Sequence, residues 1–268
     1  MDSLPDLEML AEFLREVGLE TLMRASEEVS DTRKADGSVV TAADLATQHA
    51  IQAGLQAHWP EYRFLGEEMS REDQRRLYQH SSGGLWCLDP LDGTSNFATG
   101  LPFFSISLAL LIDRDIRLGV VYDPQRDEFF AAIKGRGATL NGRTLRCRRE
   151  TMPLENCIAV VDFKRLPQEM AVRLASEPPY RSQRSFGSVA LDWCWLAANR
   201  YQVYVHGKQN LWDYAAGSLI LAEAGGYSES LEGGDVYQHG LAPRSVMAAC
   251  NEVLLGEWRR ALLGASPD

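Results

Sequence analysis

Leu85-Trp86-Cys87-Leu88-Asp89-Pro90-Leu91-Asp92-Gly93-Thr94-Ser95-Asn96-Phe97 is the stretch that decides how this chain is read. Its first four residues form a short apolar run of the kind that fills a buried strand. The run ends in Asp89-Pro90 and Asp92-Gly93, two pairs typical of turns, so the strand is expected to stop at Asp89 and not to continue. A carboxylate at the end of a buried strand emerges at the sheet edge, where open α/β sheets hold ligands. Asp92 follows within reach of the same point. Gly93 lets a ligand approach the backbone, and Gly93 and Thr94 can offer N–H groups to an anion. Two acids beside an anion seat make sense when divalent cations bridge them to a phosphate. Asp-Pro or Asp-Gly alone is an ordinary turn former. The nine residues from Asp89 to Phe97 are far more specific than either pair.

On either side the periodicity sets out the rest of the fold. Leu7, Leu10, Ala11, Leu14 and Val17 recur at helical spacing, which predicts helix over residues 4–29, in one piece or two about Gly18. Thr41-Ala42-Ala43-Asp44 reads as a helix start with Thr41 as cap, the helix running to about His58. A short strand at 62–66, a charged helix at 70–80, strands at 103–112, 118–122 and 128–133, and a hairpin turn at Asn141-Gly142 follow. Beyond them come strands at 157–162, 201–205 and 246–249. Helices are expected at 167–176, 188–199, 212–224 and 252–263. Residues 1–150 thus read as helices plus an antiparallel sheet and residues 151–268 as an α/β half, together one unit of mixed α+β and α/β character.

The bulk composition excludes several classes. The net charge of -10 argues against a nucleic-acid binder, which needs excess Lys and Arg. Mean hydropathy is -0.23 and no apolar run approaches the ~20 residues of a membrane span. The opening residues carry acid where a secretory signal carries base, so a cytoplasmic location is expected. Five cysteines without a C-x-x-C pair point to reduced, buried thiols. Five histidines without zinc spacing leave a hard ion held by oxygen as the expected metal. The aromatic set Trp193, Trp195, Tyr201 and Tyr204 reads as core or interface, and the basic run Arg143 to Arg149 as a solvated hairpin.

Two further segments complete the picture. Gly66-Glu67-Glu68 precedes the central motif, and Trp212-Asp213-Tyr214-Ala215-Ala216-Gly217 follows it, with Glu223-Ala224-Gly225-Gly226 after that. Taken singly, Glu67-Glu68 could be a solvated helix start and Asp213 a helix N-terminal acid stabilised by the dipole. Together with Asp89 to Phe97 and Val40-Thr41-Ala42-Ala43-Asp44, in this order, they resemble the inositol monophosphatase family of lithium-sensitive Mg²⁺-dependent phosphatases. The family's patterns are V-T-x-x-D, G-E-E, D-P-[IL]-D-G-T-x-N-F, W-D-x-x-A-G and E-A-G-G.

The resemblance implies a layered αβαβα sandwich, a homodimer, and two to three Mg²⁺ ions. It implies that Glu67, Asp89 and the Leu91 carbonyl hold one ion and that Asp89, Asp92 and Asp213 hold a second. A third, weaker ion would sit near Glu67. Gly93 and Thr94 would hold phosphate oxygens. Asp44, the Thr94 hydroxyl and Glu67 would act on the attacking water, with Glu68 behind them. Gly187-Ser188 matches the family's substrate-contact loop, and Asp213 and the residue at position 206 would meet the substrate.

Substrate choice is where the match departs from the family pattern. The inositol branch carries Glu seven residues before its last metal Asp; here that residue is His206. A histidine can bond a hydroxyl or, protonated, suit a second phosphate, and the nearby Lys208 could add positive charge. The Thr94-Ser95-Asn96-Phe97 ending and the short segment between Glu67 and Asp89 favour an inositol-phosphate-like monoester. A 3′(2′),5′-bisphosphate nucleotidase and a fructose-1,6-bisphosphatase are the alternatives. A regulatory binding protein on the same scaffold is the alternative of another class.

Overall fold

The first helix, α1 (Leu7–Val17), is opened by Asp6, whose carboxylate accepts the N–H groups of Glu8 and Met9 at 2.9 and 3.0 Å. Leu10, Leu14 and Val17 form its buried stripe. In the computed structural model, which describes residues 4–26, 31–33, 39–81, 83–150 and 152–264, the chain does not break at Gly18. It widens there into a π-helical stretch, Gly18–Met23. The far end of the expected helix, residues 27–29, and the side chain of Thr41 lie outside what is described.

A short antiparallel hairpin, β1 (Asp31–Arg33) and β2 (Val39–Thr41), leads into α2 (Ala42–His58). Then come β3 (Arg63–Gly66), α3 (Arg71–Gln79), β4 (Leu85–Asp92), α4 (Thr94–Ala98), β5 (Ser105–Ile112), β6 (Asp115–Asp123), β7 (Glu128–Ile133), β8 (Ala138–Leu140) and β9 (Arg143–Leu145). Strands β3 to β9 lie in chain order in one seven-stranded sheet. Only β3 and β4 run parallel.

The second half supplies β10 (Ile158–Asp162), α5 (Gln168–Ser176), β11 (Ser182–Arg184), α6 (Val189–Ala197), β12 (Val203–Gln209), α7 (Leu211–Glu223), β13 (Tyr227–Glu229), β14 (Arg244–Ala249) and α8 (Glu252–Leu263). Its five strands order as β11-β10-β12-β14-β13, parallel across the first three and antiparallel beyond.

One expectation is overturned. Strand β4 does not stop at Asp89 but runs to Asp92. It passes Pro90 by a bulge: Asp89 pairs with Ser107 and Asp92 with Ser105, so β4 spends one residue more than β5 between the two pairings. Proline ends a strand only where the ladder needs its missing N–H, and the bulge removes that need.

Two cores follow from the period-2 alternation of the large sheet. Trp86, Leu88, Leu108, Leu110, Leu118 and Val120 face α1 and α2. Cys87, Ala109, Leu111 and Val121 face the other way and join Trp193, Tyr204, Ile220 and Trp258 in the larger core. Helices α6 and α7 pack between the two sheets, and α8 packs on β12 to β14. The layers are helix, sheet, helix, sheet, helix. A Cβ on Gly119 of β6 would lie 2.8 Å from the Cα of Ala216, so glycine there lets α7 sit directly on the sheet. That contact fixes the helix bearing Asp213. Trp193, Tyr201 and Tyr204 are core residues, and all five cysteines are buried and unpaired.

Candidate active site

The end of β4 brings its two acids to one place. Asp89 is 2% exposed and its Oδ1 accepts the Leu91 N–H at 3.1 Å. Asp92 Oδ2 accepts the Ser188 hydroxyl at 2.6 Å and the Ala190 N–H at 2.7 Å, both from the start of α6. The Leu91 carbonyl accepts the Thr94 hydroxyl at 2.9 Å, which closes the turn. Gly93 in that turn has φ +96°, and a Cβ on it would lie 2.9 Å from the Phe103 carbonyl oxygen. Any other residue there is strained twice over. Asn96 donates to the carbonyls of Phe103 (2.8 Å) and Phe186 (2.7 Å) and so ties the turn to the Gly187-Ser188 loop.

Glu67 arrives from the neighbouring strand. Its N–H donates to the Leu88 carbonyl at 3.0 Å, extending the β3–β4 pairing by one residue and setting Glu67 beside the end of β4. Two buried glutamines hold this turn. Gln74 of α3 donates from Nε2 to the carbonyls of both Gly66 and Glu67, each at 3.0 Å. Gln48 of α2 accepts the Glu68 N–H at 3.1 Å. Asp44 lies buried in the first turn of the same α2. Asp213 stands in the first turn of α7, where its Oδ2 accepts the Asn210 N–H at 2.8 Å. It serves as helix cap and faces the cluster at once.

Charge couples these acids. Burial drives the Asp89 carboxyl well above the ordinary range, and the charges of Glu67, Asp92, Asp213 and Asp44 add to it. Burial raises Asp213 likewise, with Glu67 and Asp92 contributing. Asp92 is also raised by burial, against the hydrogen bonds from Ser188, Ala190 and Val189 that favour its charged form. Among the described residues no three acid, histidine or cysteine side chains close on one point tightly enough to hold an ion as they stand. The donor set nonetheless fits a hard divalent cation: oxygen donors on mutually repelling, buried carboxylates, with Asp89, Asp92 and Asp213 each fixed through one oxygen to a backbone N–H.

His206 lies on β12, the strand that leads into α7 and Asp213. It is 2% exposed on β12, with Nε2 3.1 Å from Asp162 Oδ2 and Nδ1 accepting the Lys208 N–H at 3.2 Å. Asp162 is its register partner on β10. Burial pushes the Asp162 carboxyl up, but His206 and Arg165 outweigh it and bring it down to about 2. The ring thus lies against Asp162 and the Lys208 backbone. Ser188, fully buried, turns its hydroxyl to Asp92. Gln48, Gln74 and Asp162 are the supporting residues that sequence reading missed; nothing in their local pattern separates them from surface polar residues.

The chain matches the inositol monophosphatase family over residues 7–263. It is 35% identical to the Nus factor SuhB of Haemophilus influenzae, over 84% of this chain and 83% of that protein. It is 33% identical to the fructose-1,6-bisphosphatase/inositol-1-monophosphatase of Thermotoga maritima, over 92% and 96%. The crystal structure of the extragenic suppressor protein suhB from Bartonella henselae superposes with a TM-score of 0.83 at 30% identity, covering 97% of this chain and 99% of that one. With the acid-lined end of β4, the layered sheets and these likenesses in hand, the chain belongs to the inositol monophosphatase family.

Proposed function

We propose that the protein hydrolyses a small-molecule phosphate monoester with Mg²⁺, an inositol-phosphate-like ester being the reference substrate. The observation that carries this reading is the set Glu67, Asp89, Asp92 and Asp213 around the end of β4, the first and last half-buried and the two β4 aspartates buried, beside the glycine turn. Glu67, Asp89 with the Leu91 carbonyl, Asp92 and Asp213 would hold two to three ions. When bound, the ions neutralise the phosphate dianion and make a water nucleophile available at neutral pH.

The chain's own residues do the rest. Gly93 and Thr94 bind phosphate oxygens through the backbone. The Thr94 hydroxyl and Glu67 orient the attacking water, and a carboxylate oxygen of Asp44 accepts its proton. Ser188 holds Asp92 in place through its 2.6 Å bond, which favours the charged form against burial. His206 acts on Asp162 and the strand that carries it, rather than on the substrate. Assembly as a homodimer is part of the same family reading.

A regulatory role is the second reading, favoured by the relative that is named a Nus factor. The test is phosphate release from inositol 1-phosphate, fructose 1,6-bisphosphate and adenosine 3′,5′-bisphosphate in Mg²⁺, with Asp92→Asn as the blank. Turnover by the wild type that the variant lacks supports hydrolysis. Equal, background release by both, extended to a broad monoester set, leaves the regulatory reading in its place.

A further inference from the structure

A cavity of about 850 Å³ opens directly beside Glu67. Its acidic side, Glu67 and Glu68, belongs to the candidate metal centre. Its other side is cationic. Arg71 and Arg75 stand one turn apart on α3 and share a face. Lys208 comes from β12. The remaining wall is mixed, with Trp212, Met69 and the segment 241–243 beside the amides Gln74 and Asn210.

None of these three cations has a side-chain hydrogen bond or ion pair among the described residues, whereas Arg76, on the next position of α3, is paired with Asp73 at 2.7 Å. On a chain of net charge -10, three unpaired cations gathered at one cavity raise its potential for anions. A phosphate seated at the Gly93-Thr94 turn uses none of them. The cavity is also far larger than that phosphate needs.

We infer that this cavity is a second-anion subsite: the substrate's leaving group carries another phosphate, held by Arg71, Arg75 and Lys208, with its carbon framework against Trp212. The inference rests on the hydrolytic reading above and narrows its substrate class to bisphosphorylated small molecules. A guanidinium pairs with phosphate through two parallel N–H donors, and the ammonium of Lys208 adds a point charge. The subsite binds a group that does not react, so its effect falls on KM more than on kcat.

The test compares matched pairs that differ by one phosphate: inositol 1,4-bisphosphate and inositol 1-phosphate, fructose 1,6-bisphosphate and fructose 1-phosphate, adenosine 3′,5′-bisphosphate and 3′-AMP. In at least one pair the wild type favours the bisphosphate by about tenfold or more in kcat/KM. The double variant Arg71→Ala/Arg75→Ala brings that ratio close to one by raising the bisphosphate KM, and Lys208→Ala moves it part of the way. Arg149→Ala, outside this cavity, leaves the ratio alone. No bisphosphate preference in any pair, or equal losses on both members, overturns the inference. If no compound yields Mg²⁺-dependent phosphate, the hydrolytic reading has failed instead. The same pairs are then titrated by calorimetry in Ca²⁺, where a preference for the bisphosphate that the double variant abolishes upholds the subsite and equal binding removes it.

Discussion

Asp89→Asn should make the metal-free protein more stable and the metal-loaded protein comparatively less so. The substitution keeps the shape and the acceptor for the Leu91 N–H at 3.1 Å, and removes only the charge. That charge is 2% exposed, raised by burial, and faces Glu67, Asp92, Asp213 and Asp44. The effective cost of a buried ion is several kcal/mol, and protein hydrogen bonds recover part of it, so neutralising Asp89 should contribute about 2 kcal/mol. For a chain of this size that is a rise of about 4–8 °C in Tm. A carboxyl whose folded pKa is raised destabilises the fold while ionised, at pH above that raised pKa. The cost is relieved as pH falls through the raised pKa and the folded protein takes up the proton. The variant's advantage should therefore shrink as the pH is lowered. Mg²⁺ at a hundred times its Kd adds about 2.7 kcal/mol to the wild type and little to the variant, so the order of the two melting temperatures narrows or reverses. The assay is thermal melting of both proteins in EDTA and in saturating Mg²⁺, at about pH 8 and about pH 5.5. A variant that melts below the wild type in EDTA, or an equal Mg²⁺ shift in both, would refute the reasoning.

Three further outcomes follow from the supporting residues. Gln74→Leu removes the donor shared by the Gly66 and Glu67 carbonyls, of which Gly66 keeps the Met69 N–H; it should cost about 1–3 kcal/mol in urea unfolding and raise the Mg²⁺ concentration for half-maximal turnover. Gly93→Ala meets both the left-handed φ of +96° and the Phe103 carbonyl at 2.9 Å; stability should drop by about 1–3 kcal/mol and phosphate release should fall to the level of the blank while the circular dichroism spectrum is retained. Asp162, lowered in the folded state from 3.8 to about 2, contributes stability that is fully present above pH 4 and is lost as pH falls through about 2. Urea unfolding of Asp162→Asn should therefore run about 1–2 kcal/mol below wild type near neutrality, the discount reflecting its 19% exposure, and the gap should close between about pH 4 and pH 2.

The acids of the site were legible because each sits in a short, chemically specific string. Asp89 and Asp92 share one motif, Glu67 follows a glycine at a strand end, and Asp213 opens a helix. The path of β4 through Pro90 was not legible, because whether a proline ends a strand depends on the partner's register, and the bulge opposite Ser105 and Ser107 belongs to β5 as much as to β4. Gln48 and Gln74 were invisible for a related reason: each reads as a polar residue on a charged or mixed helix, and only the docking of α2 and α3 on the Glu67 turn buries them. For His206 the sequence offered a possible substrate contact and could not show its strand neighbour. Its position before Asp213 in sequence says nothing of Asp162, which the parallel pairing of β10 and β12 sets directly beside it.

The way the acids are held bears on whether this scaffold catalyses or only binds. Asp89, Asp92 and Asp213 each give one oxygen to a backbone N–H, from Leu91, Ala190 and Asn210 respectively. Each carboxylate is thereby fixed in orientation, an arrangement that lowers the reordering needed when a cation enters. It also keeps charged groups buried and mutually repelling in the metal-free protein, at a cost of several kcal/mol against a total stability of about 5–15 kcal/mol. A surface used only for docking a partner gains nothing from that burial, because its recognition groups lie outside. The cost is intelligible where a cation offsets it and a phosphate follows the cation, and the Gly93 turn, strained for any other residue, lies within two residues of Leu91 to receive that phosphate. A regulatory role on the outer face is compatible with this interior, but the outer face does not account for it.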